Sequence, residues 1–171
     1  MDEFGLKVRP SPGVREARIA VLVAGEETAG RCGLVQTVEE RGAKPPRHLH
    51  HREDETLYVI EGSLSVWVAG EWLEVPAGTA VFLPRGAEHT FVAATEKARV
   101  LSFFAPAGFE RFYREVAGAG PLDVERLVTI AARYGCEITG PAPERPRVGQ
   151  SSLRTATPST DRDAKTKKTS K

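Results

Sequence analysis

From about residue 17 to residue 105 the chain consists of short runs rich in Val, Leu, Phe, Tyr and Trp. Glycine and proline punctuate them every eight to twelve residues. That rhythm leaves no room for long helices and is the pattern of an antiparallel sandwich or barrel. The expected strands are Ala17–Val23, Cys32–Val38, Glu55–Glu61, Ser63–Val68, Glu71–Val75, Ala80–Leu83, His89–Ala93 and Val100–Phe104. Val68-Ala69-Gly70-Glu71 reads as a tight hairpin with Gly where φ must be positive. Glu61-Gly62-Ser63, Pro76-Ala77-Gly78 and Pro84-Arg85-Gly86 read as further turns.

After Pro106 the period changes. Phe109, Phe112, Tyr113 and Val116 form one apolar helical stripe, which Gly118-Ala119-Gly120-Pro121 ends. Asp123 is a plausible N-cap for a second helix carrying Leu127, Ile130, Ala131 and Tyr134, with Gly135 at its end. Both stripes are read as core packing over the sheet. The expected organisation is one domain over residues 1–143, with the barrel at about 17–105 and the helical extension at about 107–135. The 171-residue length and the 40% hydrophobic, 27% charged composition suit a single soluble domain.

Net charge is +1, but it is unevenly distributed: residues 1–143 carry 16 Lys/Arg and 20 Asp/Glu, whereas residues 144–171 carry 8 and 3. The latter segment lacks aromatic residues and has nine Ser/Thr, so it is expected to be a disordered basic tail. The balance of charge gives no reason to expect a specific nucleic-acid partner. Cys32 and Cys136 fit no paired spacing and read as reduced thiols. No stretch approaches the ~18 apolar residues of a membrane span, and the N-terminus has no signal-like apolar region, so a cytoplasmic location is expected.

The chain has four histidines, and three of them are His48, His50 and His51. His48 and His50 project to one face of an extended segment, while His51 alternates away and reads as a surface residue. In the following strand Glu55, Leu57 and Val59 share a face, bringing a carboxylate toward the two imidazoles. Two nitrogens and an oxygen in this arrangement suit a divalent first-row metal. A further ligand must come from elsewhere, and His89, after a Pro-x-Gly turn, is the remaining histidine. Glu53 and Asp54 compete with Glu55; Asp54 would face the other way, and both are read as solvated loop charges.

These two segments resemble the signature motifs of the cupins, G-x5-H-x-H-x(3,4)-E-x6-G and G-x5-P-x-G-x2-H-x3-N. Gly42, His48, His50, Glu55 and Gly62 meet the first; Gly78, Pro84, Gly86 and His89 meet the second, with Ala93 in place of Asn. The resemblance covers about residues 17–105, and the helical segment is similar to the extension of small bacterial cupins that resemble quercetin dioxygenases. It implies an all-β fold, a double-stranded β-helix or jelly-roll barrel with a short C-terminal helical extension. It also implies that His48, His50, Glu55 and His89 are metal ligands, for one divalent transition metal: Fe, Mn or Ni, with Zn and Cu as further options.

By the same resemblance the chain is a metal-dependent enzyme, in the first instance a dioxygenase acting on a small aromatic or enolic, flavonol-like substrate. Glu55 would then both ligate the metal and accept the substrate's proton. The alternatives are a metal-dependent isomerase, cyclase or lyase, and a cupin that binds a small ligand without converting it. Leu57, Val59, Val66, Phe91 and Phe103 are the expected pocket lining, subject to strand register. A homodimer is expected, paired through the strand near Ala17–Val23.

Overall fold

Backbone conformations available to few residues mark where the strands must end. At the Val68–Glu71 hairpin both Ala69 and Gly70 adopt positive φ, 47° and 96°, the twist that matches two right-twisted strands. At Gly62, also at positive φ, a Cβ would collide with the backbone carbonyl of Lys97 and press on Thr95 Oγ1, so only glycine lets the turn pack there.

The computed structural model describes residues 18–120 and 123–145 and the backbone of residues 153–155. Along the chain these form β1 (Ile19–Val23), a single 3-10 turn (Gly25–Glu27), β2 (Gly33–Glu40), β3 (Arg47–His50), β4 (Asp54–Glu61), β5 (Ser63–Val68), β6 (Glu71–Pro76), β7 (Ala80–Leu83), β8 (His89–Ala93) and β9 (Lys97–Ala105). Helices α1 (Glu110–Gly118) and α2 (Val124–Arg133) follow, then β10 (Cys136–Gly140) and β11 (Leu153–Thr155).

The strands make two sheets, of order β1-β2-β9-β4-β7 and β10-β3-β8-β5-β6-β11. Pairing is antiparallel except that β11 runs parallel to β6. This is a jelly roll with a helical extension, as expected. The main core between the sheets contains Leu57, Val59, Leu64, Val66, Val75, Leu83, Ala98 and Val100. A second cluster of Val35, Phe104, Phe109, Ala131 and Cys136 ties both helices and β10 to one flank.

Asp123 caps α2 by accepting a 2.8 Å hydrogen bond from the Arg126 N–H. Gly135 follows at φ 74° and turns the chain directly into β10. This strand was not expected: its apolar residues are too few to announce it, and it exists because β3 offers a free edge on which Cys136, Glu137 and Ile138 pair with His50, Leu49 and His48. In the segment read as a disordered tail, Arg145 pairs with Glu74 at 2.9 Å, and Leu153–Thr155 pair with β6. Residues 146–152 and 156–171 of that segment, like Ala17, lie outside the described residues.

Gly62 and Gly70 should respond differently to alanine. Gly62→Ala meets a fixed carbonyl and should lower unfolding stability by at least about 2 kcal/mol. Gly70→Ala meets nothing within 4 Å and should lower it by only about 1 kcal/mol, the left-handed backbone term. Urea denaturation of the two variants checks the contrast.

Candidate metal centre and its cavity

Three strands deliver four polar side chains to one point inside the barrel. His48 and His50 come from alternate positions of β3, and His89 opens β8 directly across from His48. Glu55 lies near the start of β4, flanked by Leu83 on β7 and Phe104 on β9. One potential ligand atom from each of the four residues lies within 4.8 Å of the others. Glu55 Oε2 is 3.4 Å from His50 Nε2 and 3.3 Å from His89 Nε2.

The backbone orients two of the rings. His48 Nδ1 is 2.8 Å from the Pro46 carbonyl, and His89 Nδ1 is 2.9 Å from the Ala87 carbonyl. A carbonyl only accepts, so each Nδ1 carries the proton and donates it, leaving the Nε2 lone pair of the neutral ring directed inward. Aromatic packing fixes the third ring: the edge of His50 meets Phe109 at a centroid separation of 4.2 Å and Phe104 at 5.8 Å.

The electrostatics follow from burial and from these neighbours. Burial, reinforced by His89 and His50, pushes His48 down to about 3, so it is neutral at ordinary pH. Burial alone would favour a protonated Glu55, but His50 and His89 outweigh it and hold the carboxyl well below the usual range. Burial likewise disfavours charge on His89, yet Glu55 overcomes this and raises its pKa above the ordinary histidine value.

These residues fit a divalent cation. Both nitrogens of His50 and Nε2 of His89 are buried without a hydrogen-bond partner, an arrangement that is costly unless something else occupies the lone pairs. Three imidazoles and one carboxylate are donors suited to a first-row transition metal, and the four could hold one with positions left for other ligands.

The centre opens on a cavity of about 520 Å³. His48, Glu55 and His89 line its polar part; Leu57, Leu83 and Phe91 line the barrel side; Phe109, Phe112, Tyr113, Leu127 and Ala131 line the helical side. Cys136 and Ile138 of β10 also face it, and burial pushes the Cys136 thiol up to about 12, leaving it an uncharged wall group. Of the five residues expected to line the pocket, Leu57 and Phe91 do so. Val59 and Val66 are instead sealed in the core between the sheets. Phe103 is 42% exposed on the outer face, because β9 turns Ser102 and Phe104 inward; the expected register was off by one residue.

Two further differences matter. Glu53 is not a solvated loop charge: it is 1% exposed, beneath Gly108 at the approach to α1, with Arg52 at 3.3 Å as its ionic neighbour. Burial raises its pKa against the pull of Arg52 and His50. The loop appeared solvent-facing in sequence because nothing local shows that a segment 55 residues later covers it. By contrast, Asp54 is turned away from the centre and held by Arg85 at 2.7 Å, and His51 is exposed and pairs with Glu137 at 2.9 Å. The aromatic stripe of α1, read only as core, is also the cavity wall, and its i, i+3, i+4, i+7 pattern could have suggested that role once a site lay opposite it.

The family profile for the cupin domain matches residues 34–104. The chain is 35% identical over 109 residues to dimethylsulfoniopropionate lyase DddW of Ruegeria pomeroyi, covering 63% of this chain and 72% of that protein. The chain belongs to the cupin superfamily. It is also 23% identical over 94 residues to quercetin 2,3-dioxygenase of Bacillus subtilis, covering 55% of this cupin but only 28% of that enzyme. Among solved structures it is similar to KdgF from Halomonas sp., with 26% identity, a TM-score of 0.48, and coverage of 52% of this chain and 76% of that one. Among the described residues of this cupin no helix is long and apolar enough to cross a membrane.

Proton competition should govern metal uptake. His48 is neutral throughout the working range, whereas His89 must lose a proton whose pKa is raised. Affinity should therefore fall as pH drops through the range just above the ordinary histidine value and level off at higher pH. Calorimetric titration of the metal-free protein with Mn(II) between roughly pH 5 and 8 measures this. His89→Ala should lower metal content at least about tenfold by plasma emission; unchanged content would mean that another site holds the metal.

Proposed function

We propose that this cupin is a metal-dependent dioxygenase acting on a small aromatic or enolic substrate of the flavonol type. The observation that carries this reading is that the cluster of His48, His50, Glu55 and His89 opens, through His48, Glu55 and His89, on a ring-lined cavity of about 520 Å³. That volume falls in the range of sites for drug-sized molecules, and walls of Phe91, Phe109 and Phe112 favour a planar ring system.

In this reading the three histidines and Glu55 hold one divalent transition metal. When bound, the metal would supply Lewis acidity toward the substrate oxygens and a coordination position for O2. The protein's own groups do the rest. Glu55 enters the reaction ionised, with a carboxylate oxygen able to accept the substrate's hydroxyl proton. Burial holds the Tyr113 phenol protonated, so it serves as a neutral hydrogen-bond donor in the cavity wall. Phe109, Phe112 and Leu127 exclude water around the reacting centre. The catalytic unit is read as residues 1–143. Association into a dimer would use the edge of β1, which ends its sheet among the described residues.

The similarity to the lyase extends over more of that relative's length than the similarity to the dioxygenase does, which favours a second reading: the same centre acting as a Lewis acid without O2. Anaerobic assay separates the two. Metal-reconstituted protein should consume a flavonol such as quercetin in air and stop when O2 is removed, and His89→Ala should lower turnover at least about a hundredfold. Product formation that persists without O2 would overturn the dioxygenase reading.

A further inference from the structure

Two of the three imidazoles in the metal centre have an acceptor at their outer nitrogen, and the third does not. His48 Nδ1 lies 2.8 Å from the Pro46 carbonyl, and His89 Nδ1 lies 2.9 Å from the Ala87 carbonyl. His50 Nδ1 is buried with no hydrogen-bond partner, while its Nε2 faces Glu55 Oε2 at 3.4 Å. A neutral ring that gives its Nε2 lone pair to a metal carries its one proton on Nδ1, and leaving that buried N–H unpaired is costly. Packing against Phe104 and Phe109 fixes the plane of the His50 ring, but apolar contact cannot choose which nitrogen holds the proton. In metal sites that choice is made by a carboxylate, carbonyl or water at the outer nitrogen.

Glu53 has the matching chemistry. It stands three residues from His50 along the chain and is 1% exposed, and neither of its carboxylate oxygens has a hydrogen-bond partner. Arg52 Nη2 comes within 3.3 Å of Oε1, but not in hydrogen-bonding geometry. One short piece of chain packs on both residues. A Cβ on Gly108 would stand 2.9 Å from Glu53 Oε1, and the ring of the next residue, Phe109, meets the His50 ring at a centroid separation of 4.2 Å. The other buried carboxylate at this corner, Glu110, is already engaged, accepting from the Gly25 and Gly108 N–H groups at 3.0 and 2.6 Å. An unpaired donor and an unpaired acceptor are therefore enclosed under the same turn.

We propose that Glu53 is a positioning residue of the metal centre, accepting the Nδ1 proton of His50, directly or through one buried water, and so holding Nε2 toward the metal. It does through a side chain what the backbone does for His48 and His89. The inference rests on the assignment of His48, His50, Glu55 and His89 as metal ligands and is independent of the reaction the centre performs.

The test loads the full chain with Zn(II), a diamagnetic probe, and reads affinity by competition with a chelator and the ring protons by proton–nitrogen NMR of histidine-labelled protein. The chain has only four histidines, and the His50 ring is recognised by its contact with Phe109. The zinc-loaded wild type should show a slowly exchanging His50 Nδ1–H. Glu53→Leu should abolish that signal, leave those of His48 and His89 in place, and weaken zinc binding at least about tenfold. Glu53→Gln keeps the size and a neutral acceptor oxygen, so the His50 signal should persist but move upfield, with zinc binding weakened about threefold. That variant decides the matter should the leucine variant not fold. A His50 signal unchanged in a folded variant, or a zinc affinity within about twofold of wild type in Glu53→Leu, makes Glu53 a packing group only and overturns the proposal while the metal centre stands. If the wild type binds no zinc, the ligand assignment itself fails, and this inference with it.

Discussion

The structure depends on keeping one carboxylate out of water. Glu55 is enclosed by Leu83, Phe104 and the strands around them, and an isolated charge there would be prohibitively unfavourable. Two imidazoles within 3.4 Å make it tolerable. Their positions require that β3 and β8 pair so that His48 faces His89, and that β4 lie across from them in the other sheet. The jelly roll is the frame that brings together three strands from two sheets at the geometry this charge demands. The same closeness leaves nitrogens of His50 and His89 without hydrogen bonds, so the arrangement that stabilises the carboxylate is also the one suited to hold a cation.

The second constraint is closure of the flank beside the centre. Phe104, Phe109, Phe112 and Tyr113 form a chain of ring contacts from β9 into α1, with centroid separations of 4.8 to 6.1 Å. These rings bury the apolar stripe of α1 and at the same time shape the cavity. Stability and recognition therefore use the same side chains, and a change in α1 that alters ligand shape will also alter packing. The cavity's polar lining comprises His48, Glu55 and His89 of the metal centre together with Glu39, Lys44, Thr90 and Tyr113.

Much of the barrel is legible along the chain because turn chemistry is local. β5, β7 and β8 have the bounds read from the sequence, β1, β2, β4, β6 and β9 differ by a few residues at their ends, and β3, β10 and β11 were not among the expected strands. The convergence of His48, His50, Glu55 and His89 is legible in part for a similar reason: strand alternation places His48 and His50 together, while the resemblance to the cupin motifs implied that Glu55 and His89 join them. Register across strands is not local, and there the reading slipped. Phe103 and Phe104 are equally apolar, and only the pairing of Phe104 with Gly33 and Glu55 decides which of them points inward.

The sequence by itself determined the antiparallel rhythm of short strands and how its hairpins turn, since these follow from neighbours a few positions apart, and its resemblance to the cupin motifs implied the jelly roll and which four side chains would approach one another. The tertiary structure alone decided that β10 would complete the second sheet, that Glu53 would be buried beneath Gly108, and that a helical stripe and Glu39 would wall one cavity. Each of these depends on surfaces more than fifty residues apart meeting, and burial at such a contact is a property of both surfaces together, which no local pattern in either segment encodes.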